Sequence, residues 1–191
     1  MKMILGELIN ICIKILKLDK NFFKNDKNFG QASIYFALVI IILGAIISII
    51  PNGSFLNYMS DNFSLGIIKG PSLKVIIFTA ALVWLIKSAY LFFIGVVLFP
   101  EEKTKCNFRK ILILVAFSKV PLLLNFIIIN PVLLFLSIIT YLWYNVSLII
   151  GLKILLNYKN YLKPALISLA PHIIFLIYIM SIFDNFGGTV S

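Results

Sequence analysis

Acidic side chains are scarce in this chain. Its 191 residues carry seven Asp and Glu against seventeen Lys and Arg, a net charge of +10. There is one His (His172), one Arg (Arg109) and a pair of Cys, Cys12 and Cys106. Each shortage excludes something. With one His and no acid inside any long apolar run, a catalytic triad lacks parts and a metal lacks ligands. The two Cys are too few and too far apart for a zinc site and are expected as free thiols. Charged residues make up 13% of the chain, against about 25% in a soluble domain. That argues against disorder and against a basic domain that binds nucleic acid. What the chain has instead is apolar surface: 61% of its residues, with a mean hydropathy of +1.06. A protein this small cannot hide that much apolar surface against itself. Lipid is therefore the expected solvent for most of it.

The first eighteen residues show a helical period. At 100° per residue, Ile4, Leu5, Leu8, Ile9, Ile11, Cys12, Ile15, Leu16 and Leu18 share one face. Glu7, Asn10, Lys14 and Lys17 share the other. Those charges, and the lack of a small-residue cleavage site, make this a poor signal peptide. An amphipathic helix of this kind lies in the membrane interface or on the loops of its own protein. The polar stretch 21–30 follows as a tether.

Five apolar runs come next, at about 32–50, 75–99, 111–129, 132–156 and 164–183. The first, as a helix, covers about 28 Å, the thickness of the hydrocarbon core. Pro51-Asn52-Gly53, Pro100 and Asn130-Pro131 punctuate the runs. The expected fold class is all-α: a polytopic bundle of five transmembrane helices with an interfacial N-terminal helix. Residues 1–30 read as the cytoplasmic helix and tether, 31–183 as the transmembrane domain, and 184–191 as an external tail. Lysines crowd alternate segments: six before the first run, then Lys103, Lys105, Arg109 and Lys110, then Lys153, Lys159 and Lys163. The positive-inside rule puts the N-terminus in the cytoplasm and the C-terminus outside a cell membrane. The Lys, Ile, Asn and Phe bias fits an AT-rich genome.

Four polar residues lie in the middle of apolar runs: Lys87, Lys119, Asn145 and His172. A charge at a helix centre costs roughly 2.5–3.5 kcal/mol on insertion scales and usually faces a bundle interior or cavity. Two outcomes are open. The lysines snorkel or cap backbone carbonyls freed by Pro121 and Pro171. Alternatively the group lines a polar midplane cavity for an anion or a lipid headgroup. Glu101-Glu102 with His172 superficially matches an intramembrane protease. Cys106 and Ser168 stand where that pattern wants Arg and Phe. No catalytic, cofactor-binding or metal residue is assigned, and no enzymatic activity is expected.

Larger motifs remain. Trp84 opens an aromatic, small-residue stretch that reaches Phe99-Pro100, and Phe108-Arg109-Lys110 leads a further run to Pro121. Trp143, Gly151-Leu152-Lys153 and Lys163-Pro164-Ala165 follow, with Asn21-Phe22-Phe23 near the start. This pattern resembles the YIP (Ypt-interacting-protein domain) family of five-span membrane proteins, in its short prokaryotic form. The resemblance implies a non-enzymatic integral membrane protein that organises membrane or binds other membrane proteins, or itself. Eukaryotic members resemble trafficking factors that bind small GTPases through a longer N-terminal region. Here that region has about thirty residues, which speaks against a GTPase partner. The alternative function is a small transporter or channel built on the polar cavity. The lipid bilayer is the partner common to both.

Overall fold

The computed structural model describes residues 2–48, 72–101, 104, 106–127 and 135–187. Among these, all regular structure is helical. In chain order come α1 (Lys2–Leu16), α2 (Lys20–Lys24), α3 (Gln31–Ile47), α4 (Leu73–Phe92), α5 (Phe108–Ser118), α6 (Phe135–Leu155) and α7 (Leu162–Gly187). Tighter 3-10 turns occupy Asp26–Phe29 and Val120–Ile127, and a wider π-helical turn, Phe93–Leu98, extends α4. The punctuating turns at 51–53 and 130–131 lie outside the described residues; of the tail expected at 184–191, residues 184–187 continue α7 and 188–191 lie outside the described residues.

Three helical stretches are long and apolar enough to cross a membrane: Leu73–Leu98, Phe108–Ile127 and Phe135–Leu155, of 26, 20 and 21 residues. Ser33–Ile47 and Leu162–Tyr178 are shorter apolar helices. The third run is not one continuous α-helix. Pro121 has no N–H to give the carbonyl of Phe117, so the α-helical ladder stops at Ser118. Lys119 N–H donates to the Ala116 carbonyl and Leu122 N–H to the Lys119 carbonyl, which tightens the chain into 3-10 turns.

Helix α5 is the central post. Ile111 and every residue from Ile113 to Ser118 are buried. A helix apolar all round belongs inside a bundle, and α3, α4, α6 and the N-terminal elements surround this one. Asn107 starts it, its side chain accepting from Lys110 N–H at 3.0 Å. Phe22 and Phe29 pack on Phe117, with ring centroids 5.8 and 6.5 Å apart. Gly151 of α6 lets Leu114 and Phe23 approach its backbone; a methyl there would collide with Leu114. The Lys110 ammonium meets Asp26 at 2.9 Å and ties α5 to the turn after α2.

The N-terminal helix packs on α5 and on the 3-10 segment Val120–Ile127 rather than on a loop. Ile15 is fully buried, with Leu8, Ile11, Cys12 and Leu16 beside it. Ile9 and Ile13 remain 51% and 45% exposed, so the apolar arc is wider than the bundle covers. The bundle also holds Cys12 and Cys106 half-buried and without a disulfide. Burial pushes the Cys106 thiol up to about 11, against the pull of Lys110.

A clasp joins α4, the loop after it, α6 and α7. In the π turn, Phe99 N–H donates to Ile94, one residue further back than in an α-helix. The Gly95 carbonyl thereby loses its α-helical donor, and the next residue, Pro100, has no N–H to offer. The Tyr158 hydroxyl supplies it, at 3.0 Å from Gly95 O and 3.1 Å from Phe99 O. Thr104 Oγ1 donates to the Leu156 carbonyl at 2.8 Å, and Lys163 meets Glu101 at 2.7 Å. Hydrogen bonding from Lys163 holds the Glu101 carboxyl below the usual carboxylate range. Burial, reinforced by Glu101, pushes the Tyr158 phenol up to about 12, so it stays a donor.

Candidate functional site

Helix α7 packs on α6 and on the π turn and stands off from the middle of α4. The gap is an open-sided cavity of about 690 Å³, with Ile86, Ile174 and Tyr178 exposed along its rim. Val83, Ile86, Lys87 and Tyr90 line it from α4; Pro171, His172, Ile174 and Tyr178 line it from α7. Small-molecule sites commonly have volumes of roughly 300–1,000 Å³, mostly apolar walls and a few placed polar groups. This cavity has that character.

Two of the four polar residues expected from the sequence meet here. Lys87 and His172 face one cavity from different helices. A pair of α6 tyrosines links them from behind. The Lys87 ammonium lies 4.8 Å above the Tyr144 ring, Tyr144 and Tyr141 are 5.9 Å apart, and the Tyr141 ring meets His172 edge-on at 5.9 Å. Neither residue has a carboxylate partner among the described residues; the ion pairs found there are Lys110–Asp26 and Lys163–Glu101. A ring face attracts an ammonium without neutralising it.

The other two do not line this cavity. Lys119 caps α5 and lines a separate space of about 220 Å³ with Ile41, Gly44, Ser48, Ala80 and Asn125. Asn145 is buried in α6 and donates to the Tyr141 carbonyl of its own helix at 2.8 Å. Its hydrogen bond therefore steadies the backbone under the tyrosine pair. The proline-freed carbonyl of Phe117 receives the Lys119 backbone N–H, which takes part in the α5 cap.

Sequence reasoning missed Tyr141 and Tyr144 as the link, and Tyr90 and Tyr178 as cavity walls. One signal was available. Tyr141, Tyr144 and Asn145 follow helical spacing, as do Lys87 and Tyr90, so each set shares a face. Among the described residues no group of His, Cys, Asp and Glu is arranged to hold a metal ion.

No curated protein and no solved structure matches the chain. A family comparison does match, over residues 15–183, with the Yip1 domain. The matched stretch begins inside α1 and takes in the core aromatics Phe22 and Phe23, the central α5, the glycine contact at Gly151 and both walls of the cavity. With its apolar helices and a match across most of its length, the chain is a membrane protein that belongs to the Yip1 domain family.

Proposed function

We propose that the protein works without enzymatic chemistry, as a five-span organiser of the cell membrane and of the membrane proteins in it. This reading takes the three long apolar helices, together with α3 and α7, as spans. The loop lysines then place the N-terminus in the cytoplasm and the C-terminus outside. The observation that carries the reading is the uncovered flank of α1. One side of that helix is committed to the bundle through Ile15, while Ile9 and Ile13 are exposed. Glu7, Asn10, Lys14 and Lys17 are exposed as well. Such a helix sits shallowly in the inner leaflet, isoleucines on acyl chains and lysines at anionic headgroups. Wedging one leaflet and not the other expands that leaflet, and this is a physical route to shaping a bilayer.

Reconstitution tests it. Vesicle diameter should fall as the protein-to-lipid ratio rises. Ile9→Asp with Ile13→Asp should abolish that trend while the bundle stays inserted. Vesicles whose size ignores the wild-type protein would count against the reading.

A second reading rests on a different observation, the meeting of Lys87 and His172 at one cavity. It makes the protein a small transporter or channel with a site for an anion or lipid headgroup. Anion flux into liposomes, lost in Lys87→Met, separates this reading from the first.

A further inference from the structure

The cleft between α4 and α7 does not end at the large cavity. A second space of about 350 Å³ is lined by Ile94, Phe99, Leu166, Ile167 and Ala170, with Lys163 at its edge. Tyr90 borders both spaces, so the cleft continues along α7 from His172 toward Lys163. Nine residues of helix separate those two positions, about 14 Å. The walls over that length are almost wholly apolar. The polar groups sit at the ends: Lys163, already paired with Glu101, and Lys87 with His172, which have no acid.

We propose that this cleft binds a long-chain carboxylic acid, its carboxylate held between Lys87 and His172 and its chain along the apolar walls. The inference rests on the anion-site reading above and names its ligand. Charge selects the headgroup. Lys87 places an ammonium at this end of the cleft, and no Asp or Glu lies within 73–98, 108–127, 135–155 or 162–183 to answer it. Both side chains donate hydrogen bonds to a carboxylate, and such charge-assisted bonds are the stronger kind. The walls select the rest of the molecule. A small inorganic anion would give up its hydration for two polar partners and a lining of Val83, Ile86 and Ile174. An acyl chain loses nothing against that lining. A carboxylic acid also has a neutral form that dissolves in hydrocarbon, so it reaches the cleft from lipid without a water path.

The test uses the full chain, purified in a nonionic detergent, and radiolabelled palmitic acid. Binding should be saturable and displaced by unlabelled palmitic acid. Hexadecanol, with the same chain and no charge, should compete at least about tenfold more weakly. Lys87→Met should weaken binding by at least about tenfold, and Lys87→Arg should keep it. Ile174→Trp, at an exposed cavity wall, should block the cleft and covers the case in which Lys87→Met does not fold. Equal competition by hexadecanol, or undiminished binding in either Lys87→Met or Ile174→Trp, would overturn the proposal. If palmitic acid fails to bind while chloride flux in liposomes depends on Lys87, the ligand is wrong and the anion site stands. If neither binding nor flux depends on Lys87, both fall.

Discussion

Leu18 stands at φ 52°, in the left-handed region, as the residue just past α1. Asp19 N–H donates to Lys14 O and Leu18 N–H to Ile15 O, the paired bonds that close a helix end. Asn157 ends α6 with the same pair of bonds, at φ 55°. Asn tolerates that conformation, whereas a Leu Cβ crowds the following carbonyl at roughly 1–2 kcal/mol. Leu18→Gly should therefore raise stability by about 1 kcal/mol, read as a higher unfolding midpoint in detergent, and Asn157→Gly should change little. Tyr158→Phe should do the opposite. It removes the donor from two carbonyls beside a buried glycine, at a cost of about 1–3 kcal/mol, visible in the same thermal scan. At this scale the sequence spoke unevenly. Lys87 and His172 were legible because a charge or imidazole inside an apolar run has few reasons to be there. Tyr144 was not, because a tyrosine in a membrane helix is ordinary until the structure sets a lysine over its ring. Tyr158 was silent for another reason: its partners Gly95 and Phe99 belong to a distant segment.

The clasp makes its own prediction at the scale of elements. Lys163 of α7 and Glu101 after α4 pair at 2.7 Å, and that pairing lowers the Glu101 carboxyl below its ordinary value. A carboxyl whose folded value is depressed contributes stability above its unfolded value, and the contribution is lost as pH falls through the folded one. The unfolding midpoint should drop as pH falls through the carboxylate range. Glu101→Gln should shrink that drop and lower the midpoint at neutral pH. A pH profile identical in the two proteins would show that the pair contributes nothing. The apolar runs of the sequence corresponded to α3 through α7 because length and hydropathy carry that information directly. The run 111–129 was expected as one helix with Pro121 inside it, and the α-helix stops three residues before that proline. The all-round burial of α5 was hidden, since apolar residues on every face also describe a helix bathed in lipid. The period of α1 gave its apolar face but not what covers it.

For the whole molecule, the loop charges make orientation testable. Lys74→Cys and Lys159→Cys, both at exposed positions, should behave oppositely toward an impermeant maleimide. The first should react in intact cells and the second only after permeabilisation; the reverse pattern would invert the molecule. The native cysteines are poor reporters, because the Cys106 thiol, raised to about 11, holds little thiolate at neutral pH. The seating of Phe22, Phe23 and Phe29 in the core has a consequence in time. These side chains leave the ribosome before nearly all of their partners. Phe117 and Leu114 come much later, and the gap at Gly151 that admits Phe23 comes later still. At roughly 5–20 residues per second, Phe23 waits on the order of ten seconds for Gly151. During that interval α1, α2 and their phenylalanines must be held by lipid or by a chaperone, and the bundle stays unplugged. These phenylalanines, made early, are thus among the last to dock, and a bulky group attached to α1 would burden the final step of assembly rather than the first.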